Sequence, residues 1–120
     1  MSGADARGAW LRMRDGVRAR AIDSKQSQRA VLAMAARYRS LTEGERVDVD
    51  QLLIEQLASE DETVRFDALA LVREFRIVAA LPALRRLADW LETQDSPGAP
   101  YEWAKVNRFI GALAEPSENE

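Results

Sequence analysis

Apolar residues recur every three or four positions along this 120-residue chain, and this spacing constrains its fold more than any other feature. A helix has 3.6 residues per turn, so such spacing places apolar side chains on one face. The clearest segment is 61–76, with a main apolar arc of Val64, Ala68, Leu71, Val72 and Phe75. A weaker apolar stripe on another side indicates a helix packed between neighbours. No stretch alternates polar and apolar residues long enough to suggest a sheet, so the pattern predicts an all-α fold.

The same period predicts about six helices. They cover approximately residues 5–22, 24–40, a segment that begins at Thr42, 61–76, 78–93 and 101–114. Thr42 and Glu45 have the spacing of a capping box, and so do Ser59 and Glu62. The turn at the second box is so short that the helices it joins are expected to be antiparallel neighbours.

A chain of this length is expected to form one domain. We assign it to residues 1–114, with basic N-terminal helices over 1–40 and helix pairs over 42–114. The polar segment 115–120 contains proline and is expected to be a disordered tail.

Neither cysteine nor histidine occurs in the chain. The first absence excludes disulfides and thiolate metal sites, and the second removes the usual general base and the commonest metal ligand. No glycine-rich phosphate loop or Gly-x-Ser-x-Gly elbow is present. These observations argue against an enzyme and against a metal or other cofactor.

No uncharged run approaches the roughly 20 residues that a membrane span needs, and the N-terminus lacks the apolar core of a signal peptide. We therefore expect a soluble, cytoplasmic protein without a membrane partner.

The acidic residues are the remaining candidates for catalytic or metal-binding chemistry. Asp67 and Glu74 lie seven positions apart on one side of a predicted helix, where they could approach Mg²⁺ only with help from other helices. Asp61 and Glu62 occupy the first turn of that helix, where the helix dipole favours negative charge. For Asp61 and Glu62 this favourable position at the helix start is the favoured interpretation, and for Asp67 and Glu74 it is a solvated or salt-bridged surface.

Residues 60–69 carry a recognisable pattern. An acidic turn leads into Val64 and Arg65, and the small residue Ala68 follows three positions later. Across the inserted proline loop, Arg65 aligns with Lys105 at an offset of 40. This segment resembles the start of a HEAT repeat, and residues 81–84, with sequence LPAL, look like the proline-bearing second helix of such a repeat.

The resemblance covers about residues 42–114. It implies antiparallel helix pairs stacked into an αα-superhelix, whereas an irregular helical bundle is the alternative. It also implies a structural role for Arg65, whose counterpart in such repeats bonds to a neighbouring acidic residue inside the stack.

Charge is distributed unevenly. Residues 1–40 hold nine Lys/Arg and three Asp, a net of +6, while residues 41–120 hold a net of −9. Within the basic part, Arg7, Arg14 and Arg18 form a stripe that could contact phosphates. The acidic chain and the lack of a helix-turn-helix pattern argue against nucleic acid, and pairing with the acidic half or plain solvation is favoured.

Aromatic residues give the candidate binding site. Trp90 falls outside the main apolar arc of the fifth helix, near Arg86 and Asp89 on its charged side. It either anchors an interface or packs under the 93–100 loop. With Tyr101 beside that loop, it is hypothesised to form a protein-binding patch. Trp103 and Phe109 are expected in the core.

The leading hypothesis is a non-catalytic protein-binding module, because stacked helix pairs present surfaces to other proteins. Its acidic helices could mask a basic partner, as a bacterial immunity or inhibitor protein does. A nucleic-acid-binding accessory protein is the alternative. Terminal apolar edges of a short stack could also be capped by a second copy, which would make a homodimer.

Overall fold

The computed structural model describes residues 3–20 and 24–115. Over these residues the fold contains six α-helices and one 3-10 turn. The helices are α1 (Gly3–Arg20), α2 (Ser24–Arg39), α3 (Glu43–Gln56), α4 (Glu62–Glu74), α5 (Leu81–Glu92) and α6 (Ala99–Ala114), and the 3-10 turn is Val78–Ala80. The described part contains no β-strand, so the all-α prediction is confirmed.

Two compact units make up the chain, Met1–Leu53 and Ile54–Glu120, and the boundary falls within α3. The single domain over residues 1–114 stays a prediction. Of the predicted disordered tail, residues 116–120 lie outside the described residues.

In the first unit, α1 packs against α2. Trp10 of α1 is buried and meets the Tyr38 ring edge-on, with the ring centroids 6.5 Å apart. The Tyr38 hydroxyl donates a 2.7 Å hydrogen bond to Asp50 Oδ1. Burial raises the pKa of the Asp50 carboxyl above its usual value. An aromatic pair and a part-buried polar contact therefore connect all three helices of this unit.

Arg46 of α3 closes the end of α2. Its Nε and Nη2 donate to the backbone oxygens of Tyr38 and Arg39, at 3.4 and 2.9 Å. The last carbonyls of a helix lack partners within the helix, so these bonds satisfy two of them.

The first capping box is confirmed. Glu45 Oε1 accepts from the Thr42 amide at 2.9 Å, and Thr42 Oγ1 accepts from the Glu45 amide at 3.2 Å. The hydrogen bond from the Thr42 backbone lowers the pKa of Glu45.

The second predicted capping box, at Ser59 and Glu62, is wrong. The residue that caps α4 is Asp61, whose Oδ1 accepts from the amides of Thr63 and Val64 at 2.8 and 3.3 Å. Ser59 Oγ instead accepts from the Asp61 amide. Asp61 has the extended backbone of an N-cap, and its carboxylate reaches two free amides at once, which explains why α4 begins at Glu62.

In the second unit, α5 packs against α6, and α4 also contacts α6. The interior contains large side chains from all three helices: Leu69, Leu71, Val72, Leu84, Leu87, Leu91, Val106 and Leu113. The predicted fifth helix over 78–93 divides into the 3-10 turn and α5. Pro82, which has no amide proton, lies in the first turn of α5, as the sequence predicts.

The turn after α4 is built on Arg76, which has a φ of 47°. The amides of Ile77 and Arg76 donate to the carbonyls of Val72 and Arg73 at 3.0 and 3.4 Å, the pattern of a Schellman motif. Glycine is usual at this position. Here the arginine side chain also donates to the backbone oxygens of Ala112 and Glu115, at 3.1 and 3.2 Å, and so caps the end of α6.

The expectation that Trp103 lies in the core is wrong, because its side chain is 39% exposed. Phe109 is only half-buried. Each lies about 60° around the helix from the fully buried Val106, one on either side. The two aromatic residues therefore flank the buried line of α6.

Candidate protein-binding groove

A groove of about 410 Å³ lies between the end of α3, the turn that follows it, and α5. We call it the α3–α5 groove. Its apolar lining is Ile54, Leu57, Ala58, Ala83, Leu87 and Trp90, and its polar lining is Glu55, Ser59, Glu60 and Arg86. Leu57 and Leu87 are buried, so they form its floor.

Trp90 forms one wall of the groove and remains 40% exposed. The guanidinium carbon of Arg65 lies 5.0 Å from its ring centroid, which is a cation–π contact. No residue of the 93–100 loop lines the groove. Trp90 is thus an exposed aromatic side chain whose ring is held in place by a buried neighbour, the property expected of an interface anchor.

Arg65 is itself fixed by three hydrogen bonds to two residues. It is 6% exposed, and its Nε and Nη2 donate to the two carboxylate oxygens of Glu102 at 2.7 and 2.9 Å. Its Nη1 donates to the backbone oxygen of Ser59 at 2.9 Å. The hydrogen bonds with Glu102 raise the pKa of Arg65, so the cation is firmly charged. The predicted bond between Arg65 and a neighbouring acidic residue is confirmed.

Charged groups are distributed unequally around the groove. Glu55 and Glu60 are exposed on the α3 side, and Arg86 is exposed on the α5 side. Asp89, the neighbour of Trp90 in the sequence, is also exposed. Glu55 also takes part in an interaction within the protein. An apolar floor with the exposed carboxylate of Glu60 at its edge fits an apolar side chain that is accompanied by a basic one.

The predicted patch of Trp90, Tyr101, Arg86 and Asp89 is divided between two places. Trp90 and Arg86 line the α3–α5 groove, while Tyr101, 82% exposed, lines a separate depression of about 230 Å³ between α4 and α6. Arg65 and Glu102 link the two, since Arg65 contacts Trp90 and Glu102 lines the depression.

The depression between α4 and α6 contains Lys105. Its Nζ lies 4.4 Å from the ring centroid of Phe66 and 5.7 Å from that of Phe109. Burial lowers the pKa of Lys105, although the two rings favour its charged form. The ammonium group of Lys105 therefore makes cation–π contacts within the protein.

The basic stripe of α1 differs from a free phosphate-binding surface. Arg7, Arg14 and Arg18 are each only partly exposed, and each takes part in an interaction within the protein. Arg14 also lies 3.8 Å from a carboxylate oxygen of Asp15.

The expectation that Asp67 lies on the surface is wrong. Its side chain is buried, with 1% exposure, and takes part in an interaction within the protein. Among residues 3–20 and 24–115, no three acidic side chains lie close enough together to hold a metal ion. None of the described helices is long and apolar enough to cross a membrane.

Sequence reasoning missed the α3 side of the groove, namely Ile54, Ala58, Glu55 and Glu60. Ala58 is exposed and Ile54 is half-exposed. Which apolar residues of a helix stay exposed depends on tertiary packing, so no local sequence signal could have revealed them.

Comparison of the chain with protein-family models, curated proteins and solved structures finds no match.

Proposed function

We propose that this chain is a cytoplasmic, non-catalytic binding module that holds a basic, apolar segment of another protein in the α3–α5 groove. In this role it masks a basic surface of its partner, as an immunity or inhibitor protein does. The single observation that carries the proposal is Trp90, half-exposed on the groove wall and fixed by its contact with Arg65.

The contact of the Trp90 ring with Arg65 supports binding. An aromatic side chain that is already ordered loses little conformational freedom when a partner covers it. Arg65 is buried and held by Glu102 and the Ser59 carbonyl, so the ring rests on a fixed support. Most binding energy in protein interfaces comes from a few such anchors.

Charge supports a basic partner. Residues 54–120 hold seven Lys/Arg and thirteen Asp/Glu, a net of −6. Of the cations, Arg65 is paired with Glu102, and Arg76 is bound to the end of α6. Complementary charge mainly speeds association and selects the partner, whereas the apolar floor supplies affinity.

We further propose that α4 to α6, with the end of α3, are HEAT-like helix pairs. The packing of α5 on α6, the contact of α4 with α6 and the internal pairing of Arg65 support this assignment. Stacked pairs of this kind leave grooves between successive helices, where partners bind.

The experiment is a titration with a synthetic amphipathic helical peptide that carries leucines on one face and arginines beside them. An otherwise identical peptide with glutamates replaces it in the control titration. We expect the basic peptide to bind the full chain in isothermal titration calorimetry, with an affinity that falls as salt rises. Comparable binding of the acidic peptide would contradict the proposal.

The matched variants are Ala58→Arg and Ala104→Arg. Both alanines are exposed, but only Ala58 lines the groove. Ala58→Arg should weaken peptide binding by at least about tenfold, and Ala104→Arg should leave it unchanged. Equal effects of the two variants would show that the groove is not the site.

A further inference from the structure

The outward side of α2 carries an exposed apolar stripe between arginines. Leu32 is 67% exposed, and Ala33 and Ala36 are exposed beside it. Arg29 and Arg37, also exposed, lie within the same arc of the helix. We call these five residues the α2 outer face.

An exposed leucine that apolar neighbours extend into a patch indicates a surface where another molecule binds. The α2 outer face combines an apolar centre with two guanidinium groups. This is the chemistry that the α3–α5 groove fits, since the groove has an apolar floor and carries the exposed Glu60 at its edge.

The net charges of the two units also favour contact between the first unit of one copy and the second unit of another. Residues 1–53 hold ten Lys/Arg and seven Asp/Glu, a net of +3, against −6 for residues 54–120. The first unit of one molecule and the second unit of another therefore attract each other, whereas like units repel.

We infer that the α2 outer face of one copy docks into the α3–α5 groove of a second copy, an inference that rests on the proposed function of that groove. The two surfaces differ, so the contact is heterologous and joins copies head to tail, as open chains or closed rings. Self-association covers Trp90, and a basic partner must displace the second copy to reach the groove. Assembly thus regulates access to the binding site.

The test uses two variants of the full chain that each damage one surface. Leu32→Glu places a carboxylate in the α2 outer face and keeps a good helix former there. Ala58→Arg blocks the groove with bulk and positive charge. Both positions are exposed, so the fold should survive, which circular dichroism checks.

In sedimentation velocity runs, the unaltered chain should assemble as its concentration rises and dissociate as salt rises. Each variant alone should associate at least about tenfold more weakly. A mixture of the two should form a one-to-one dimer and nothing larger, because the intact α2 of one variant meets the intact groove of the other. Ala104→Arg should assemble like the unaltered chain.

Two outcomes overturn the inference: an unaltered chain that stays monomeric at every concentration, or a mixture that associates no better than its components. Neither outcome contradicts the proposed function of the groove. That function is tested separately, by titrating the basic peptide into Leu32→Glu, in which the groove is intact. Failure of the peptide to bind Leu32→Glu, whose groove no second copy covers, would instead overturn capture of a foreign partner and leave the self-association standing.

Discussion

Arg65 and Glu102 lie 37 residues apart and form a two-pronged ion pair, with N–O distances of 2.7 and 2.9 Å. Their side chains are 7% and 13% exposed. Because Arg65 also contacts Ser59 and Trp90, this pair ties the α3–α4 turn, α4, α5 and α6 together at the wall of the groove.

Removal of one partner of this pair should be strongly destabilising, because the remaining charge is buried without compensation. We expect Glu102→Ala to lower the free energy of unfolding by about 3 kcal/mol, measured by urea denaturation. Arg65→Met with Glu102→Leu, which removes both charges, should recover much of that loss. The single variants Arg65→Met and Glu102→Leu are measured for comparison. A double variant whose loss of unfolding free energy equals the sum of their two losses would contradict the pairing.

Arg76 supports two features whose contributions can be separated. Arg76→Ala loses the hydrogen bonds to the end of α6 and keeps a left-handed backbone that suits alanine poorly. Arg76→Gly loses the same bonds but relieves about 1 kcal/mol of backbone strain. The glycine variant should therefore be more stable than the alanine variant by about that amount in thermal unfolding. Equal melting temperatures would show that the φ of 47° carries no strain.

Asp61, rather than Ser59, should account for the N-terminal cap of α4. We expect Asp61→Ala to cost about 1 kcal/mol of unfolding free energy, since it leaves the amides of Thr63 and Val64 without a side-chain acceptor. Asp61→Asn retains an acceptor and should cost little. Ser59→Ala serves as the comparison, and a loss as large as that of Asp61→Ala would restore the capping box predicted from the sequence.

Asp50 should make stability depend on pH. Burial raises its pKa in the folded state above that in the unfolded state, so it contributes stability at acid pH. This contribution is lost as pH rises through the folded-state pKa. Asp50→Asn resembles the protonated form and can still accept from Tyr38. The variant should therefore be more stable than the unaltered chain at neutral pH, with the difference vanishing in acid. An advantage that grows toward low pH would contradict this sign.

Local features of the fold could be predicted from the sequence. The helical period identified six helices, and Thr42 and Glu45 form the predicted capping box. Such features depend on residues within a turn or two of each other, so their spacing along the chain contains the necessary information. The ion pairing of Arg65 was anticipated only through the HEAT-like resemblance, and that resemblance did not indicate Glu102 as the partner.

The candidate site could not be predicted in the same way. Trp90 and Tyr101 are eleven positions apart, yet they line different depressions, because Arg65 and Glu102 come between them. Trp103 has the spacing of a core residue and is 39% exposed nonetheless, because burial depends on which side chains pack against a helix face and not on the helical period alone.

The sequence alone determined the all-helical class, the helix positions to within a few residues and the uneven distribution of charge. Hydrophobic periodicity, helix propensity and ionisable side chains are properties of the chain itself. Only the tertiary structure decided that Asp67 is buried, that Arg65 fixes Trp90 and that a groove opens beside α5. Those outcomes depend on which helix faces meet, and packing brings together residues whose separation in the sequence gives no sign of contact.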